Sequence, residues 1–216
     1  MHGTSTTLSQ RIWIPLLLLA AGLAGIGLGR LFLALGPSAT IEVALESGTW
    51  LSPPRPLPAF ELVDQDNQLA GPGRFQGRWT LVFFGFTRCP EACPTTLAKL
   101  RTVRRTLAAS LPVEQVPTVL LVSVDPERDT PSVLKTYLAG FDPDFAGLTG
   151  DPEAVGSFAT ALGVPYRKIP MEGDYMMDHS TAIMLVNPAG LLVALFSAPH
   201  DADVLIRDFR RSIATR

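Results

Sequence analysis

The only two cysteines of the chain lie four positions apart, in Cys89-Pro90-Glu91-Ala92-Cys93. They follow the apolar run Trp79 to Phe86 and precede a stretch with helical spacing of leucines, so they sit where a strand hands over to a helix. A helix cannot run through Pro94 without losing a backbone bond. Cys89 to Cys93 is therefore expected to form a turn, with Cys93 near the N-cap and Pro94 opening the helix. Free N–H groups and the positive end of the helix then point at the sulfurs and favour thiolate over thiol. In such a turn the two Cα atoms can approach to roughly 4.4 to 6.8 Å, as a disulfide needs. The same closeness allows both sulfurs to hold one metal ion. Four uses stay open: two small buried hydrophobes, a structural disulfide closing a very short loop, a redox-active pair, and a metal site. Two cysteines exclude a four-cysteine zinc site and a disulfide-stapled scaffold.

The elements around the pair decide what else can reach it. Trp79 to Phe86 and Val116 to Val124 are continuous apolar runs, the pattern of strands covered on both faces in a mainly parallel sheet. Phe60 to Leu62 reads as a short strand before the polar turn Asp64 to Gln68. Helices are expected over Pro94 to Leu111, from the Thr130-Pro131 cap to about Ala139, over Pro152 to Leu162, and over Asp201 to Ser212. Ile183 to Val186, Asn187 to Gly190 and Leu191 to Phe196 read as a β-hairpin. Together they predict an α/β fold of the thioredoxin-like type. Three histidines are available: His2, His200 after Pro199, and His179 in a polar loop from Asp174 to Ser180. In a thioredoxin-type sheet the loop leading into Ile183 faces the cysteine turn, which brings His179 to the sulfurs. Two thiolates and an imidazole make a soft three-ligand set, suited to a copper ion and one ligand short of a structural zinc site. Asp178 is placed either to orient His179 or to cap the loop. Met176 and Met177 read as packing residues.

Of the 216 residues 47% are hydrophobic and 18% charged, against about 25% charged in an average soluble domain. The deficit is local. Residues 1–36 carry only Arg11 and Arg30. Ile12 to Gly29 is uncharged, and the apolar run resumes after Arg30, enough for the ~20 residues that span a bilayer. The expected organisation is a cytoplasmic tail (1–11), a transmembrane helix (12–35), a proline-containing tether (36–57) and one domain (58–216). Arg11 places the tail inside by the positive-inside rule, and the domain outside. The apolar stretch exceeds a typical signal-peptide core, and an uncleaved anchor is the preferred reading. The leading end lacks the character of a mitochondrial transit peptide, so the expected setting is a bacterial inner membrane, single-pass, with the domain in the periplasm. No basic patch or charge block suggests a nucleic-acid partner.

Three segments also carry a resemblance: Phe84-Gly-Phe-Thr-Arg-Cys89-Pro-Glu-Ala-Cys93-Pro, Ser123-Val-Asp-Pro-Glu-Arg-Asp-Thr-Pro131, and Asp174-Tyr-Met-Met-Asp-His179-Ser. They resemble, in order and over about Pro58 to Ile213, the signature segments of the Sco/SenC family of membrane-tethered, thioredoxin-fold copper chaperones. The resemblance implies Cys89, Cys93 and His179 as copper ligands. It also implies the copper-bearing subunit of cytochrome c oxidase as recipient, with a copper donor or thiol reductant as further partner. Arg88 departs from the aromatic or histidine that many members carry there. Asp125 to Thr130 reads as turn and helix-cap chemistry, structural in role. A second function class uses the same cysteines as a thiol-disulfide oxidoreductase that reduces the recipient site or senses redox state.

Overall fold

The computed structural model describes Gly22 and residues 43–214. The expected cytoplasmic tail and transmembrane helix, and the start of the tether, lie outside the described residues. No helix among the described residues is long and apolar enough to cross a membrane.

The strands are β1 (Gly48–Pro56), β2 (Leu62–Asp64), β3 (Leu69–Ala70) and β4 (Thr80–Gly85), after which helix α1 (Ala92–Ala108) begins. Strand β5 (Thr118–Ser123), helix α2 (Pro131–Ala139), strand β6 (Ala146–Thr149) and helix α3 (Pro152–Ala161) follow. The chain then forms β7 (Tyr166–Met171), β8 (Asp174–His179), β9 (Ile183–Val186), β10 (Leu191–Phe196) and helix α4 (Ala202–Ala214). Eight strands form one mixed sheet in the order β1-β10-β9-β4-β5-β6-β2-β3, while β7 and β8 pair only with each other.

The expected α/β architecture is present, but its sheet is mixed and not mainly parallel as expected: only β4–β5 and β5–β6 are parallel pairs. β4, β5 and β6 are parallel and β9 is antiparallel to β4. Every residue of β4 is buried, which explains why its sequence is continuously apolar. α1 buries Leu97, Leu100, Val103 and Leu107, the residues whose spacing predicted it. Thr130 caps α2, its hydroxyl accepting from the Val133 amide at 3.4 Å, and Asp151 caps α3 through the Glu153 amide at 2.8 Å. The β9–β10 turn is closed by the Asn187 side chain, which accepts from the Ala189 and Leu191 amides at 3.0 Å each, with Gly190 at φ 76°.

Three further expectations need correction. The segment before Pro58 is not all tether: β1 lies antiparallel along β10, Gly48 opposite Phe196 and Pro56 opposite Leu191. Its prolines and exposure suit a sheet edge, where a missing N–H costs no ladder bond, and they imitate a linker. Asp208 of α4, fully buried, holds the preceding residues by accepting from the Glu46 and Ser47 amides at 2.8 and 2.9 Å. Next, Asp174 to His179 is not a loop but strand β8. Its partner β7 has no fully buried residue, and in β8 only Met177 is buried, because the hairpin pairs with no strand of the main sheet. Finally, α1 starts at Ala92, so Cys93 and Pro94 are its second and third residues. The first four amides of a helix have no partner one turn earlier, and proline is tolerated there.

Candidate metal centre

β4 ends at Gly85 and delivers Phe86, Thr87 and the cysteine turn to one end of the sheet. The Cys89 amide donates to the Phe86 carbonyl at 3.3 Å, and the Cys93 amide donates to the Cys89 sulfur at 3.3 Å. An otherwise free first-turn amide of α1 is thus satisfied by a cysteine sulfur, in place of a capping side chain from Glu91, which makes no such bond. Both cysteines are free thiols; Cys93 is fully buried and Cys89 half-buried. Burial pushes the Cys93 thiol up, a shift that the hydrogen bond from Phe86 opposes and the neighbouring Cys89 and Asp129 reinforce. The expected preference for thiolate therefore fails at Cys93: loss of hydration outweighs the helix terminus.

His179 ends β8, and its Nε2 lies 3.8 Å from the Cys93 sulfur, 86 residues away in sequence. Its Nδ1 lies 2.8 Å from the Ser180 carbonyl. A carbonyl only accepts, so Nδ1 carries the proton and Nε2 turns its lone pair toward Cys93. Phe83 and Phe86 meet the ring edge-on, with centroids 6.3 and 5.8 Å away. Burial lowers the His179 pKa, and the Ser180 carbonyl and the charge of Asp178 oppose that shift. Asp178 does not orient the imidazole by a hydrogen bond. Its carboxylate pairs with Arg167 at 3.0 Å on the exposed side of the hairpin, and Ser180 takes the orienting role.

The fold thus brings Cys93 and His179 together and keeps Cys89 in the same turn. Among the described residues no group of three or more His, Cys, Asp or Glu is arranged closely enough to hold a metal ion as it stands. An open groove of about 450 Å³, lined by Pro165, Tyr166, Arg167, Asp178 and Ser180, gives access to His179. Arg88 is exposed and faces Asp174 at 3.9 Å. Met177 is buried in the core and Met176 packs against it, as expected of packing residues. His200 does not join the cysteines; its Nε2 lies 2.8 Å from the Thr181 carbonyl.

Residues read as structural from sequence brace the site. Asp129, fully buried, accepts from the Thr87 amide at 3.0 Å, the Thr87 hydroxyl at 2.5 Å and the Ser123 hydroxyl at 2.6 Å. Thr87 stands two residues before Cys89, so the carboxyl fixes the entry to the turn. Burial pushes the Asp129 carboxyl up, while these donors pull it down. The clustering of acids and prolines at Asp125 to Pro131 was the available signal, but turn chemistry accounts for it equally well from sequence.

Gly85 is required for the sulfur to sit where it does. A Cβ there would lie 2.9 Å from Phe83 Cε1, 3.0 Å from the Cys93 sulfur and 3.1 Å from Leu121 Cδ1. Gly85→Ala is expected to destabilise the fold by about 1 to 3 kcal/mol through overpacking and to displace Cys93. Urea unfolding, together with the NMR shifts of Cys93 and His179, would check both effects.

Residues 52–214 match the SCO1/SenC family model. A Stutzerimonas stutzeri protein named for copper binding is 44% identical over 158 residues, covering 71% of this chain and 74% of that relative. The mouse mitochondrial protein SCO2 homolog is 38% identical over 159 residues, 72% of this chain, and the match spans only 61% of its length. The copper-bound crystal structure of Arabidopsis thaliana ScoI is 33% identical with TM-score 0.69, covering 73% of this chain and 98% of that one. A turn with two cysteines, a half-buried imidazole aimed at it and this match over residues 52–214 place the chain in the SCO1/SenC family.

Proposed function

We propose that the protein is a copper chaperone that binds copper through Cys89, Cys93 and His179 and passes it to the dinuclear copper site of cytochrome c oxidase. The observation that carries the reading is the 3.8 Å approach of His179 Nε2 to the Cys93 sulfur, with the Cys89 sulfur 3.3 Å from the Cys93 amide. Two sulfurs and an imidazole match the preference of copper for soft ligands. The copper named in the Stutzerimonas relative and bound in the Arabidopsis structure supports the same cargo. Copper uptake displaces the Cys93 proton, and delivery proceeds by exchange of these ligands for those of the recipient. The oxidase as recipient rests on the family. The apolar run 12–35 supports an anchor in a bacterial inner membrane, with the domain held in the periplasm near that partner.

A thiol-disulfide role for the same pair is favoured by one observation: Cys89 is accessible while Cys93 is sealed behind it. Cys89 attacks a partner disulfide and releases one partner thiol; Cys93 then resolves the mixed disulfide, leaving an internal disulfide and two partner thiols. Copper titration of the reduced protein, followed by the sulfur-to-copper(II) charge-transfer absorption, tests the chaperone reading. One equivalent bound with that band is expected, and a silent titration refutes it.

A further inference from the structure

The hairpin that carries His179 makes no ladder bond to the main sheet, and a two-stranded hairpin by itself is marginal in water. Its place depends on side chains. Arg128, only 12% exposed, reaches it from the loop after β5. Its Nε donates to the buried carboxylate of Asp125, and its Nη1 donates to Asp174 at 2.9 Å and to the Tyr175 carbonyl at 3.1 Å. The guanidinium also lies 3.7 Å from the centre of the Tyr175 ring, whose hydroxyl donates back to Asp125 at 2.8 Å. Lys168 of β7 adds an exposed pair with Glu127 at 2.8 Å. The adjoining Asp129 holds Thr87, and with it the entry to the cysteine turn, on the other side. Four of the five consecutive residues 125–129 therefore grip the two halves of the site: Asp125, Glu127 and Arg128 the hairpin, Asp129 the cysteine turn.

We infer that Arg128 is a positioning residue that latches the His179 hairpin against the cysteine turn and so sets the His179 to Cys93 separation. Its effect on copper rests on the proposed function; its effect on the hairpin does not. A guanidinium suits the task because it donates in several directions in one plane while stacking on an aromatic ring. A lysine ammonium over the same ring, as Lys168 has at 4.2 Å, lacks the planar fork that serves Asp125, Asp174 and the Tyr175 carbonyl together.

The test uses the full-length protein, reduced and metal-free, as wild type, Arg128→Gln, Arg128→Lys and Asp174→Asn. Amide hydrogen exchange over residues 174–180 is expected to accelerate at least about tenfold in Arg128→Gln, with β4 and β5 still protected. Copper(I) affinity, measured by competition with a chromophoric chelator, is expected to fall about 10- to 100-fold, and Arg128→Lys to recover only part of it. Unchanged exchange at 174–180 overturns the latch, as does an equal loss of protection across β4 and β5, which would mark a general folding role. If Arg128→Gln does not fold, Asp174→Asn removes the negative charge at the exposed end of the latch, along with the exposed 3.9 Å pair to Arg88. Faster exchange confined to the hairpin then supports the inference, and none there overturns it. Should the wild type bind no copper while the hairpin responds as stated, the chaperone reading fails and the latch stands.

Discussion

Replacing His179 by alanine is expected to lower the copper affinity of the reduced protein by at least about 100-fold, more than losing an outer-shell partner usually costs a metal site. Disulfide exchange by the cysteines should survive. The imidazole is held as a single tautomer by the Ser180 carbonyl, with its free nitrogen 3.8 Å from Cys93. Removing it leaves two sulfurs and a void beside Phe83 and Phe86, which water cannot fill with a soft ligand. Because burial holds the His179 pKa below its ordinary 6.5, protons do not compete for that nitrogen at neutral pH. Chelator competition measures the affinity, and reduction of a small-molecule disulfide measures the cysteines. An unchanged affinity would remove His179 from the ligand set.

The two cysteines should differ sharply when each is tested alone. With Cys93→Ser, the remaining Cys89 is half-buried in an open turn and should react readily with iodoacetamide, and a mixed disulfide formed there should be trapped. With Cys89→Ser, the remaining Cys93 is fully buried and its thiol is pushed up by burial, so alkylation at pH 7 should be at least about 100-fold slower. Equal rates would contradict the assignment of Cys89 as the attacking sulfur. The same shift gives copper binding a pH dependence. Uptake must release the Cys93 proton, so apparent affinity should rise about tenfold per pH unit for each proton released, from neutral pH upward. Stability of the metal-free fold runs the opposite way. The folded thiol keeps its proton above the ordinary value of 9.0, so its contribution is intact below that pH and declines as pH rises through it.

Much of the domain was legible because local chemistry and burial agree. Thr130-Pro131 and Asp151-Pro152 announce helix starts, and Asn187 to Gly190 announces a tight turn. The unbroken apolar runs of β4 and β5 reflect cover on both faces. The misread segments are those where two environments share one composition. Prolines in β1 serve an exposed edge strand as well as they serve a linker. β8 looks like a loop because its hairpin pairs with no strand of the main sheet and, apart from Met177, stays at least partly exposed. The acids at 125–129 look like turn formers because the Thr87 and Tyr175 groups that they bind are remote in sequence.

By itself, then, the sequence determined the candidate ligand types: two cysteines in one proline-flanked turn at a strand-to-helix junction, and a histidine just before a buried strand. Spacing of four residues is a local constraint, and the chain's own geometry enforces it. Tertiary structure alone decided which cysteine is sealed and which is accessible, which ring nitrogen of His179 faces the sulfur, and which residues hold the hairpin in place. Those depend on burial and on hydrogen bonds between residues 40 to 90 positions apart, such as Thr87 with Asp129, Arg128 with Asp174 and Cys93 with His179. No local pattern encodes such pairs, because their energies exist only once the sheet has brought the partners together.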